Sequence, residues 1–144
     1  QWRQGIAAII TLLHDVMVVV GIFSIFDKEF TLPVIAALLT VVGYSLNDTI
    51  VIFDRIRENI SKFRKRELLP LINQSVTETL SRTLLTSGTT LMVVLALVFL
   101  GGEIIHDFAF ALLVGVLIGT YSSIYVASPT VLWLTKIAPP KTSD

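Results

Sequence analysis

Cysteine is absent from the 144 residues. That removes disulfides, iron–sulfur clusters and thiolate chemistry from the possible activities. Charge is also scarce: 15% of residues are Asp, Glu, Lys or Arg, and formal net charge is zero. Two long stretches, residues 84–102 and 108–135, contain no charged residue. Residues 5–26 contain only Asp15, and residues 31–53 only Asp48. There is no phosphate loop and no metal-ligand cluster, and Ser87-Gly88 lacks the setting of a nucleophile elbow. The pair Asp15 and Asp48 does not stand in the motifs of intramembrane aspartyl proteases; their contexts are His14-Asp15 and Asn47-Asp48. The sequence therefore reads as that of a protein that is not an enzyme, with no cofactor expected.

What is present is apolar. Mean hydropathy is +0.79, and 53% of residues are hydrophobic. The apolar residues come in four blocks of about 20 or more, the length a bilayer core of roughly 30 Å requires. A soluble helical bundle would carry a polar face on every helix, yet residues 92–100 have no polar residue. The fold class is therefore all-α: a polytopic membrane protein with four transmembrane helices in an antiparallel bundle. The expected helices are 5–26, 31–59, 76–101 and 106–135, in a single transmembrane domain 1–144 with a cytoplasmic loop over 60–75. The first block is too long for a secretory h-region and lacks a small-residue cleavage site. The chain, beginning at Gln1, reads as a piece of something longer.

Charge placement gives the orientation. Seven of the eleven Lys and Arg residues lie between Arg55 and Arg82. Arg3 precedes the first block, and Lys136 and Lys141 follow the last. The other two loops carry one Lys between them. The positive-inside rule then places both ends and the central loop in the cytoplasm. It also accounts for Arg64-Lys65-Arg66 without a nucleic-acid partner.

Local signals refine the helices. Trp2 and Arg3 are interfacial anchors. Thr31 is the expected N-cap of the second helix, with Pro33 in the first turn. Ser75-x-x-Glu78 fits a capping box, so the third helix is expected to begin near Val76, with a bend available at Gly88. A short surface helix to Ser81 followed by a turn fits equally well. The fourth helix exceeds the spanning length, so it should tilt, or kink at Pro129. Along it Ala111, Gly115, Gly119, Ser123 and Ala127 recur every fourth residue. Such a stripe lets membrane helices touch backbone to backbone. Gly115, Gly119 and Ser123 are its packing centre.

The second helix carries the candidate chemistry. On a helical wheel at about 100° per residue, Thr40, Gly43, Tyr44, Ser45, Asn47, Asp48, Asp54, Arg55 and Glu58 fall on one arc of roughly 200°. Leu39, Val42, Leu46, Ile50 and Phe53 lie opposite, on the face suited to lipid. Asp48 lies roughly 10 Å inward from Arg55 along the axis. A carboxylate there stays protonated, because desolvation disfavours its charge, or it pairs with a cation. Switching between the two is what a proton carrier needs; a fixed tie between helices is the structural alternative. Arg82 is the candidate cation, with snorkelling to headgroups as its alternative role. Asp15 is a second intramembrane acid beside His14. The two side chains sit about 100° apart on the helix and need not touch. His106 and Asp107 are expected to be solvated at the outer surface.

The run Gly43-Tyr44-Ser45-Leu46-Asn47-Asp48-Thr49-Ile50-Val51-Ile52-Phe53-Asp54-Arg55-Ile56-Arg57-Glu58-Asn59 closely resembles the SecF branch of the SecD/SecF protein-export family. The resemblance extends to His14-Asp15-Val16, to residues 79–90 from Thr79 through Arg82 to Thr90, and to residues 122–128. It implies helices three to six of a six-helix subunit of the resistance–nodulation–division superfamily. It further implies a subunit of the bacterial cytoplasmic (inner) membrane that works with SecD beside the SecYEG channel, with YidC and YajC as further partners. The proton gradient would assist export of the secreted chain, which a domain outside this stretch would grip. By motif match Asp48 is the proton-carrying acid, Arg82 its basic partner and Asp15 a further proton-transfer position. Tyr44, Ser45, Asn47, Asp54 and Arg55 form the supporting polar face. The alternatives are a proton-coupled exporter of small molecules or lipids from the same superfamily, and a non-conducting scaffold.

Overall fold

The computed structural model describes residues 2–63 and 67–137. Its elements are α1 (Trp2–Ile25), α2 (Leu32–Lys62), α3 (Leu68–Leu100), α4 (Glu103–Tyr125) and α5 (Ala127–Ile137). Four helical segments are long and apolar enough to cross a membrane, α4 and α5 together making the fourth. Among the described residues there is no strand. Arg64, Lys65, Arg66 and Lys141, used above for topology, lie outside the described residues.

Helices α2 and α4 form the centre. α1 lies against both, and so does α3, but α1 and α3 do not meet. The reason is written in rows of residues four apart. α1 buries Ala7, Thr11, Asp15, Val19 and Phe23. α2 buries Ala37, Val41, Ser45 and Thr49. On α4, Ala111, Gly115, Gly119 and Ser123 are all buried, and Ala127 continues the row into α5. Such i±4 ridges are what one helix presents to the groove of another. The small-residue stripe thus faces protein: a Cβ built on Gly115 would land inside the Val41 side chain, and one on Gly119 would touch Ser45 Cβ at 3.4 Å.

Helix ends follow local chemistry. Asp27 takes the left-handed conformation (φ 53°) that ends α1, and the Lys28 N–H donates to Phe23 O at 2.9 Å. Asp tolerates this region better than most residues. Thr31 is the N-cap of α2 and Pro33 lies in its first turn, although the Thr31 hydroxyl makes no capping bond. Gly102, at φ 78°, is the N-cap of α4, a conformation that needs a glycine.

Three expectations need correction. The loop over 60–75 is largely helical: α2 continues to Lys62 and α3 starts at Leu68, with Glu67 in the N-cap position but making no side-chain capping bond. Leu71 and Ile72 are buried, and Ile72 packs in a cluster with Ile52, Phe53, Ile56, Ala127 and Val131; this apolar gain extends the helix in the N-terminal direction. Ser75 is consequently mid-helix, donating to Leu71 O at 2.7 Å rather than capping. α3 runs through Ser81 and Gly88 without interruption. Second, the fourth helix is not one unbroken run over 106–135: it breaks at Val126, one turn before Pro129, which is the kink expected from that proline. Proline lacks the N–H that Tyr125 O would accept, and its ring crowds that carbonyl. Third, Phe53 is not on a lipid face; it is 5% exposed in the core.

The core is two apolar clusters. One lies at the end of the bundle that holds the α2–α3 connection, around Ile52, Ile56 and Ile72. The other lies at the opposite end, around Val19, Phe23, Val34 and Ala37. Between them lie the buried polar residues Asp15, Ser45, Asp48, Thr49, Ser87, Ser122 and Ser123, beside the apolar Val41 and Val116.

Candidate functional site

That polar belt is organised by α2. Ser45 and Tyr44 are neighbours on α2 and point to different helices. Ser45 donates to Asp15 Oδ2 of α1. The other carboxylate oxygen, Asp15 Oδ1, lies 3.1 Å from His14 Nδ1. The expectation that His14 and Asp15 need not touch is resolved in favour of contact. Asp15 is 1% exposed, whereas His14 is half-buried at the edge of a groove on the outer face of α1. Each carboxylate oxygen of Asp15 thus has a partner, one on α1 and one on α2.

On the other side, Tyr44 Oη lies 2.9 Å from Ser87 Oγ of α3. Ser87 Oγ lies 2.7 Å from Thr120 Oγ1 of α4. Thr120 Oγ1 donates to Val116 O at 2.8 Å. Each hydroxyl has a single hydrogen. With Thr120's hydrogen on Val116 O, Ser87 must donate to Thr120 and Tyr44 to Ser87. The chain ends on a backbone carbonyl, so it clamps three helices and carries no proton onward. Sequence reasoning missed Ser87 and Thr120. Their only sequence signal was a hydroxyl in an apolar block, which is common in membrane helices.

Asp48 lies one turn further along α2, toward its C-terminal end. It is 5% exposed, and its Oδ2 is buried with no hydrogen-bond partner. Thr49 Oγ1, beside it, is also buried without a partner. Arg82 is close enough to act electrostatically on Asp48. It is exposed, and among the described residues the two form no ion pair within 4.0 Å. The structure therefore brings Arg82 near Asp48 but not into contact. An unpartnered buried polar atom is costly, about 1–3 kcal/mol when neutral and more when charged.

The remaining polar residues of α2 lie elsewhere. Asn47 is exposed and faces out of the bundle. Asp54 is exposed and accepts from Arg57 at 2.7 Å. Arg55 donates to Glu58 at 2.8 Å and pairs with Glu78 of α3. Asn59 joins this cluster, donating to Ser75 Oγ at 2.9 Å and Glu78 at 3.1 Å. The cluster lies in the helical extensions beyond the apolar blocks. There the Asn59 amide, the Gln74 amide and the Arg55 guanidinium hold the Glu78 carboxyl down to about 2. The 200° arc is thus split: Ser45 and Asp48 turn inward, Tyr44 reaches across to α3, and Thr40, Gly43 and Asn47 remain exposed at membrane depth.

At the rim near the α1–α2 turn Asp107 is both reached by solvent, as expected, and paired. Lys28 Nζ donates to it at 2.7 Å and lies 5.0 Å from the centre of the Phe110 ring. Phe23, Phe26 and Phe30 complete an aromatic cap around Phe110. Among the described residues no group of His, Cys, Asp and Glu could hold a metal ion.

Comparison with known proteins gives a consistent set of relatives. The family model described as protein export membrane protein SecD/SecF, C-terminal, matches residues 1–137. A protein translocase subunit SecF of Desulfurispirillum indicum is 60% identical over 134 residues, covering 88% of this chain and 43% of that protein. A subunit SecDF of Thermus thermophilus is 53% identical over 131 residues, covering 91% of this chain and 18% of that protein. The crystal structure of SecDF in its super-membrane-facing form superposes with a TM-score of 0.90 at 52% identity, over 94% of this chain and 19% of that one. The chain spans less than half the length of the SecF relatives it matches.

Proposed function

The chain belongs to the SecD/SecF family of protein-export membrane proteins, and from that premise we propose that Asp48 is the proton-carrying acid of a Sec accessory subunit driven by the proton gradient. The supporting observation is Asp48 itself. It is buried at membrane depth with Oδ2 unpartnered, and a cation stands near it without contact. A structural tie would be saturated with hydrogen bonds. A site that must alternate between carboxylate and carboxylic acid keeps an oxygen free for a proton or a water. Arg82 stabilises the ionised form when it approaches and releases the proton-binding form when it withdraws.

In this reading the chain is the membrane half of a larger subunit in the bacterial inner membrane, with both ends cytoplasmic. Its exposed polar residues Thr40, Asn47 and Arg82 are covered in the assembled complex, SecD being the partner and SecYEG the channel served, with YidC and YajC as further associates. Proton passage at Asp48 shifts the bundle and drives the exported domain that handles the secreted chain.

The test is Asp48→Asn in the complete subunit. Gradient-driven export should fall at least about a hundredfold, as for loss of an essential proton-transfer group, while SecD still co-purifies. Normal export would sink the reading. Loss of export together with loss of SecD would make Asp48 a structural tie.

A further inference from the structure

Two basic side chains stand at the end of the bundle where α1 begins and α2 finishes, and the seam beside them is open. Arg3 and Arg57 line one recess of about 360 Å³, with Gln4 at its edge. An apolar groove of about 580 Å³ starts from the same Gln4 and Arg57 and follows the α1–α2 seam. We propose that recess and groove together bind one anionic phospholipid, with its phosphate held by Arg3 and Arg57 and one acyl chain in the groove. The proposal goes beyond the proton reading of Asp48 and does not depend on it.

The recess fits a singly charged anion. The charged residues lining recess and groove are Arg3, Arg57 and Asp54. Arg57 is paired with Asp54 at 2.7 Å, whereas Arg3 has no carboxylate within 4.0 Å among the described residues. Two guanidiniums against one carboxylate leave one positive charge, which a phosphodiester cancels. Arg3 is half-buried, and its Nε is sealed from solvent without an acceptor. Such a donor is costly, the more so on a charged group. Phosphate oxygens are acceptors only, and a guanidinium fork matches their geometry. Basic pockets between membrane helices hold anionic headgroups for this reason.

The groove fits a hydrocarbon chain that starts at that level. Its apolar walls include Gly5, Ala8, Ile9 and Leu12 of α1 and Leu46 and Ile50 of α2. Ile9 is 58% and Ile50 56% exposed, so the walls open outward. From Gly5 to Leu12 the helix rises about 10 Å, about two thirds of one leaflet of a core roughly 30 Å thick. Trp2 is exposed, with the Arg3 guanidinium 5.7 Å from the centre of its ring. Side chains of these types mark the headgroup level. Gln4 Nε2 donates to Phe53 O at 3.3 Å, tying α1 to α2 where recess passes into groove. A Cβ built on Gly5 meets nothing within 4 Å, so the groove is open at its upper end. A free phosphate would use only the recess, and a partner helix only the groove. One amphiphile uses both.

The experiment takes the complete subunit in its assembled complex, in detergent micelles, and counts bound lipid by native mass spectrometry. Dioleoyl phosphatidylglycerol or dioleoyl phosphatidylcholine is added, and the first should be retained in preference. Arg3→Gln and Arg57→Gln should each weaken one phosphatidylglycerol site about fivefold, the factor that about 1 kcal/mol per basic residue gives. Gly5→Leu, whose side chain enters open space, should lose the same lipid with no fall in melting temperature. Lys62→Gln, which removes a charge near that end of the bundle but outside recess and groove, should keep it. Equal retention by the parent and the double arginine variant overturns the proposal, and so does an equal loss in Lys62→Gln. Loss in the arginine variants with full retention in Gly5→Leu, or competition by glycerol phosphate as strong as by the lipid, would make this a site for a free anion instead. Cross-linking of a photoreactive residue at position 9 to another protein subunit, in place of added lipid, would make the groove a helix seat and overturn it as well.

Discussion

Asp15 and Asp48 are the same side chain, both buried, about one turn apart in level on two neighbouring helices, and the bundle treats them differently. Both carboxylate oxygens of Asp15 have partners, one from its own helix and one from α2. Asp48 keeps a buried oxygen with none and a guanidinium at a distance. Burial is common to the two; what separates them is whether hydrogen bonds have already committed the oxygens.

The comparison depends on α2 and α4 being in contact, so the largest effect should come from parting them. Gly115→Leu places a branched side chain where Val41 already lies. Overpacking of this kind costs about 1–3 kcal/mol, occasionally more. A fall in thermal stability in detergent is expected, with both acids losing their surroundings. An unchanged melt would mean that the α2–α4 seam is not the core of the fold.

Next in size is a direct contrast between the acids. Asp15→Ala strands His14 Nδ1 and the Ser45 hydroxyl, and leaving a buried polar group without its partner costs about 1–3 kcal/mol. Asp48→Ala removes an oxygen that nothing bonds, so its melting temperature should fall far less. Thermal melts of the two variants side by side decide the matter. Equal losses would erase the distinction drawn here.

The smallest effect belongs to the polar cluster around Glu78. Glu78 has its folded pKa depressed from 4.5 to about 2, first by the Asn59 amide and then by Gln74 and Arg55. Its contribution is therefore fully present above about pH 4.5 and is lost as pH falls toward about 2. Because the cluster is reached by solvent, the loss should be minor and screened by salt. A melt of Glu78→Gln should be less sensitive to acid over that window than the parent chain. Identical acid sensitivity would show that other carboxylates carry it.

Helix number and span were legible because bilayer thickness converts directly into run length. The every-fourth row on α4 was legible for a similar reason: a periodicity of four is a property of one helix. The two intramembrane acids were also plain, since a charge in an apolar block stands out. Less was visible at the helix junctions. Ser75-x-x-Glu78 has the form of a cap, yet Ile72 packs against Phe53 and Ile56, and burial of that preceding turn outweighed the capping signal. The hydroxyl chain of Tyr44, Ser87 and Thr120 gave no warning, because Ser and Thr fit a membrane helix whether or not they meet another helix.

By itself, then, the sequence determined the all-helical membrane class, the positions of Asp15 and Asp48 along their helices, and the small-residue seam. Each follows from spacing within a single segment. Tertiary structure alone decided that Ser45 serves Asp15 rather than Asp48, that Tyr44 is clamped to α3 and α4, and that Arg82 stands off from the acid it influences. Those facts depend on the relative rotation and level of packed helices. That arrangement is set by the fit of Val41 to Gly115 and of Ser45 to Gly119 across the seam, and no one helix contains it.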